Sequence, residues 1–66
     1  MGHIMNVLKI KIPSGSWRYI TGITEDDFTY SIYATNAVEG TKTNLIKANK
    51  VVKLHKLKNV KIKIVE

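Results

Sequence analysis

The sequence predicts an all-β fold, a small antiparallel barrel of five to six short strands. Three observations carry that expectation. Apolar and polar side chains alternate with a period of two over much of the chain, turn residues interrupt the alternation at short intervals, and the segment NVLKIKI (Asn6 to Ile12) is echoed at the other end by NVKIKIVE (Asn59 to Glu66). A chain of 66 residues makes one domain, and a domain of that size buries only about 60% of the surface its unfolded chain exposes. Residues 6–66 are assigned to that domain; Met1 to Met5 read as a leader, with Met5 as a candidate start.

In the first strand Leu8, Ile10 and Ile12 fall on one side and Lys9 and Lys11 on the other, because successive side chains point to opposite faces. Pro13-Ser14-Gly15-Ser16 ends it, since proline cannot donate to a ladder and glycine admits positive φ. WRYITGIT (Trp17 to Thr24) is the second strand, apolar on both faces, with Gly22 placed to supply a bend or bulge. Glu25-Asp26-Asp27 turns the chain into FTYSIYA (Phe28 to Ala34), rich in β-branched and aromatic residues. Thr35 to Lys42 reads as a hairpin loop containing Gly40, TNLIKA (Thr43 to Ala48) as the fourth strand, Asn49-Lys50 as a break, and VVKLHK (Val51 to Lys56) as the fifth. Leu57-Lys58-Asn59 leads into the last strand, where Val60, Ile62 and Ile64 oppose Lys61 and Lys63. A barrel removes its free edges by pairing its first and last strands. The two lysine-isoleucine segments are therefore expected to be neighbours, with Lys9, Lys11, Lys61 and Lys63 forming one outer stripe.

The run GITEDDFTYSIY (Gly22 to Tyr33), followed after a loop by NLIKANKVVKL (Asn44 to Leu54), resembles the bent-strand core of the Sm-like family of small β-barrels, bacterial Hfq included. The resemblance covers roughly residues 7–54. It implies the family's strand topology, with a glycine in the second strand, an acidic-aromatic turn into the third, and a Leu-Ile strand leading into a valine-rich fifth. The uridine-binding histidine of the bacterial proteins has no counterpart, because Lys47-Ala48-Asn49 stands at that place. The family also has an N-terminal helix, whereas only Met1 to Asn6 precede the expected first strand, and Leu57 to Glu66 is extra. SH3-like barrels, such as the basic DNA-binding domain of retroviral integrases, fit the same strand count and charge.

The net charge of +6 is unevenly distributed. From Met1 to Thr41, Lys9, Lys11 and Arg18 face Glu25, Asp26, Asp27 and Glu39, three bases against four acids; from Lys42 to Glu66 there are eight lysines against Glu66 alone. Such asymmetry points to an anionic partner, and nucleic acid is favoured over a membrane because no long amphipathic helix is evident. Without cysteine there is no disulfide framework and no cysteine-bound zinc, so the small core is expected to be supported by self-association into a homo-oligomer. No apolar run has the length of a membrane span, and a cytoplasmic location is the expectation.

No catalytic constellation emerges, and the chain reads as a binding protein without cofactor or metal. His55 has no nucleophile or cysteine in its pattern, Glu25-Asp26-Asp27 lacks the glycine and terminal glutamate of a calcium loop, and Ser14-Gly15-Ser16 is too short for a phosphate-binding loop. Arg18 lies between two aromatics, where it would grip a phosphate beside a stacked base; Trp17 and Tyr19 themselves read first as core or subunit-interface anchors. Tyr33 is the aromatic expected to be exposed. Lys47, Lys50, Lys53 and Lys56, continued by Lys61 and Lys63, complete the expected nucleic-acid-binding set. Lysine contacts phosphate as a mobile point charge, so recognition of RNA or DNA would be largely independent of sequence. Asn36, Asn44 and Asn49 are the only obvious readers of base edges. The competing reading is a non-catalytic interaction module, such as a small viral or plasmid-borne inhibitor, that docks on an acidic protein surface.

Overall fold

The computed structural model describes residues 6–66; the leader assigned to residues 1–5 lies outside them. Strand β1 (Val7–Lys11) forms as the alternation requires: Leu8 and Ile10 are fully buried while Val7, Lys9 and Lys11 are half-buried. A turn follows in which Gly15 takes φ 93° and donates its N–H to the Ile12 carbonyl at 2.8 Å. Strands β2 (Trp17–Ile23) and β3 (Phe28–Ser31) make a hairpin around the acidic turn. The register shifts between Ile20 and Gly22, an irregularity at the place where Gly22 is expected to supply one. In the turn Thr24 Oγ1 accepts the Asp27 N–H at 3.0 Å, and the Asp27 carboxylate accepts the Phe28 N–H at 2.8 Å.

The last strand, β4 (Lys61–Val65), pairs antiparallel with β1 in the register Val7↔Val65, Leu8↔Ile64, Lys9↔Lys63, Ile10↔Ile62, Lys11↔Lys61. The two lysine-isoleucine segments are thus neighbours. They do not close a barrel. The sheet has four strands in the order β3-β2-β1-β4, and β3 and β4 remain its edges.

The expected fourth and fifth strands are absent because the whole stretch is one helix, α1 (Lys42–Leu54). Thr41 caps it in extended conformation, its side-chain oxygen accepting the Asn44 N–H at 3.1 Å, and Asn44 Nδ2 donates back to the Glu39 carbonyl at 2.9 Å. Leu45, Ala48, Val51 and Val52 recur at helical spacing on one face, with Ala48 and Val51 buried. A β alternation is also available within windows of six, through Ile46 with Ala48 and Val52 with Leu54. What decides between the two is the sheet's apolar face: Leu8, Ile10 and Ile20 need a cover, and a helix supplies it where four short strands cannot curl around a core of their own. Asn49 and Lys50, expected as a break, are ordinary exposed helix positions. Of the two runs on which the Sm-like expectation rests, Gly22 to Tyr33 covers the end of β2, β3 and the bend after it, whereas Asn44 to Leu54, expected as strands, is helical.

Leu8, Ile10, Ile20 and Ala48 form the core cluster, ringed by Ile23, Phe28, Val38, Leu45, Val60 and Ile62. The loop after β3 contributes backbone to it. Val38 donates its N–H to the Ile20 carbonyl at 2.8 Å and accepts from Leu8 N at 3.4 Å, and Gly40 donates to the Asn6 carbonyl at 2.7 Å. Gly40 is buried, and a Cβ there would lie 2.8 Å from Val7 N and 2.9 Å from both Asn6 C and Ile64 Cγ2. Helix α1 ends in a Schellman motif: Leu57 N donates to Val52 O at 3.0 Å, Lys56 N donates to Lys53 O at 3.1 Å, and Lys56 sits in the left-handed region at φ 53°.

These backbone constraints can be tested by stability. Gly40→Ala must displace β1 backbone and is expected to lower unfolding free energy by about 1–3 kcal/mol in urea titration; an unchanged midpoint would contradict the close approach. Lys56→Gly relieves a left-handed non-glycine residue and is expected to raise stability by about 1 kcal/mol, so a loss of stability would contradict the helix ending described.

Candidate nucleic-acid interface

The β1–β4 register places four lysines on the sheet face away from α1, in two cross-strand pairs, Lys9↔Lys63 and Lys11↔Lys61. The β1–β2 register adds Tyr19 opposite Lys9 and Trp17 opposite Lys11. The face therefore carries two rows, Tyr19-Lys9-Lys63 and Trp17-Lys11-Lys61. It is the helix-free face because the intervening residues Leu8, Ile10 and Ile20 pack with Ala48 of α1.

Like charges directly opposite on neighbouring strands destabilise a sheet, by roughly 0.2–1 kcal/mol per pair. Two aromatic rings offset part of this. Lys9 Nζ lies 4.5 Å from the centroid of Tyr19, and Lys63 Nζ lies 4.2 Å from that of Trp17, interactions worth about 0.5–1 kcal/mol each at exposed sites. Lys63 on β4 and Trp17 on β2, roughly two strand spacings or about 10 Å apart, meet by leaning toward each other above β1. Trp17 and Tyr19 are half-buried on this face rather than members of the core, which corrects the expectation of a core role and follows from their parity with Lys9 and Lys11.

The other residues singled out from sequence lie elsewhere. Lys47, Lys50 and Lys53 are exposed on α1, and Lys56 follows it; they do not continue the strand stripe formed by Lys61 and Lys63. Lys47 and Lys50 line a cleft with Ile23, Thr24 and Glu25. Arg18 shares the register position of Ile10 and so points to the helix side, its Nη1 donating to the Trp17 carbonyl at 3.2 Å. Tyr33 is exposed beyond β3, where its backbone N–H donates to Ser31 Oγ at 3.1 Å. Of the expected set, only Lys61 and Lys63 lie on this face. Lys9, Lys11, Trp17 and Tyr19 join them, and parity alone signals their common face once the strand register is known.

His55 has a structural use: its Nε2–H donates to the Asp26 carbonyl, tying the end of α1 to the β2–β3 turn. Among the described residues no group of three or more His, Cys, Asp or Glu gathers as a metal site, and no helix is long and apolar enough to cross a membrane. Comparison of the chain with protein-family models, with curated proteins and with solved structures gives no match.

Repulsion on this face can be measured in the free protein. Lys61 opposes Lys11, and the two rings of the face lie under other ammonium groups, so Lys61→Gln is expected to stabilise the protein by a few tenths of a kcal/mol at low salt. The gain should shrink as salt is raised. A loss of stability, or a gain indifferent to salt, would show that repulsion between the pairs does not govern.

Proposed function

We propose that the helix-free face binds single-stranded nucleic acid through its phosphate backbone, with Trp17 and Tyr19 as stacking surfaces. The observation that carries this reading is the pair of like-charge couples Lys9↔Lys63 and Lys11↔Lys61 beside two aromatic side chains on one face. An arrangement that weakens the free protein is relieved by an anion lying along the rows. Lysines two apart on a strand are about 6.7 Å apart, so the set offers a grid of positive charge rather than one pocket.

Single strands suit the face better than a duplex. Paired bases are stacked inward and cannot reach rings lying against a sheet, whereas an unpaired base can stack on tryptophan or tyrosine. Binding requires exchange: Lys63 and Lys9 leave the ring faces for phosphates, and bases take their places on Trp17 and Tyr19. Phosphate and stacking interactions carry little base identity, so affinity is expected to depend weakly on sequence. Lys47, Lys50, Lys53 and Lys56 add long-range attraction from the helix side without touching the same strand segment.

Trp17 is the only tryptophan, so its fluorescence reports on the site itself. Titration with homopolymeric single strands is expected to quench it on every base composition, with log affinity falling linearly in log salt. Replacing Lys9, Lys11, Lys61 and Lys63 together with glutamine should reduce the salt slope by about 0.7 for each phosphate no longer neutralised, and Trp17→Ala should cost about 1–3 kcal/mol of binding. A four-glutamine variant with full affinity and unchanged slope would reject the reading and favour docking on an acidic protein.

A further inference from the structure

We propose that a second copy of this chain adds at the free edge of β3, joining two sheets into one continuous antiparallel sheet. The strand order leaves two edges, β4 and β3, and they differ in kind. On β4, Lys61 and Lys63 stand one strand away from Lys9 and Lys11. Pairing β4 with its own copy would extend a row of like charges, the device by which natural sheets keep their edges apart. On β3 (Phe28–Ser31) the situation is reversed: no charged residue occurs between Asp27 and Glu39, and the strand and the bend after it, Phe28 to Tyr33, are rich in β-branched and aromatic residues and lack proline. The irregularity of the hairpin lies between Ile20 and Gly22, where β2 carries the extra residue, so nothing in β3 itself twists its ladder away from a partner.

Charge decides who the partner is. In a chain of net charge +6, the helix-free face, the solvent side of α1 and the β4 edge all carry lysines. Two copies can approach with the fewest opposed cations at β3, and there they find apolar side chains: Tyr30 on the strand is 48% exposed and, in the bend just beyond it, Ile32 59% and Tyr33 68%. An acidic partner would gain nothing from this edge, because it offers no cation to pair with. A second copy gains a ladder and apolar burial while keeping both sets of lysines at the far edges.

The symmetry adds a consequence that rests on the nucleic-acid reading above. Antiparallel pairing of a strand with its own copy is isologous, with the two-fold axis perpendicular to the sheet. Both α1 helices then lie on one side and both helix-free faces on the other. The lysine-aromatic rows of the two copies become parts of one surface, long enough for a single strand to engage both.

Association is tested without nucleic acid, so the two readings fail separately. Sedimentation at about 100 μM protein is expected to show a species of twice the 7.5 kDa chain mass. Tyr30→Lys with Ile32→Lys introduces charge on β3 and just beyond it and is expected to raise the dimer dissociation constant at least about tenfold, read well below the melting midpoint of the monomer, which the lost Phe28–Tyr30 ring contact lowers; Lys61→Gln with Lys63→Gln should leave the dissociation constant unaltered. Should the double-lysine variant fail to fold, wild-type amide exchange decides: protection of Thr29 to Ser31 must rise with protein concentration. A strict monomer, protection independent of concentration, or association strengthened only by the β4 glutamines would overturn the proposal. A β3 dimer that ignores oligonucleotides would sustain it while removing the nucleic-acid reading.

Discussion

The pairing of β1 with β4 is the constraint on which the rest of the molecule depends. Its register places Leu8, Ile10 and Ile62 on the side that α1 covers and, by the same parity, Lys9, Lys11, Lys61 and Lys63 on the other. A slip of one residue would exchange the two sets and bury lysine. Core and basic face are therefore one decision, enforced by the cost of placing an uncompensated charge beneath the helix. The loop ending at Gly40 locks the same region, because only a residue without Cβ lets the chain pass Asn6, Val7 and Ile64 so closely.

That register sets stability against recognition. Two cross-strand lysine couples oppose folding, and the rings of Trp17 and Tyr19 offset part of that cost. The same rings are what a nucleobase would stack on in the proposed complex, so the interactions that quiet the face in the free protein are those such a ligand would displace. On the proposed reading, binding would give up two cation–π interactions and gain relief of repulsion by phosphate. Since both effects are electrostatic and exposed, salt governs them together.

Much of the strand structure is legible in the sequence. The alternation in VLKIK and KIKIV, the Pro13 to Ser16 turn, the acidic hairpin turn, the irregularity near Gly22 and the neighbouring of the two end segments all rest on local chemistry and on the period of two. The helix is not legible in the same way, because Leu45, Ala48, Val51 and Val52 satisfy a helical period across the segment while Ile46 with Ala48, and Val52 with Leu54, satisfy a β period within each half of it. Thr41 followed by Asn44 is the available signal, and its weight becomes clear only once the apolar face of Leu8, Ile10 and Ile20 is seen to lack a cover. Reading that segment as strands scatters the expected site, since it puts Lys47, Lys50, Lys53 and Lys56 on a sheet they do not belong to. Size alone assigns Trp17 and Tyr19 to the core or to a subunit interface, and their parity with Lys9 and Lys11 across the β1–β2 register puts them outside the core.

The central claim is that a single strand displaces lysine from the rings of this face. It is tested most directly by the NMR shifts of the Lys9 and Lys63 side-chain methylenes, which ring currents from Tyr19 and Trp17 must move upfield in the free protein, given ammonium-to-centroid distances of 4.5 Å and 4.2 Å. On addition of a single-stranded oligonucleotide both sets of shifts are predicted to return toward ordinary lysine values while the Trp17 and Tyr19 ring protons move. Upfield lysine shifts that persist in the complex, or perturbations confined to Lys47, Lys50 and Lys53 on α1, would contradict it.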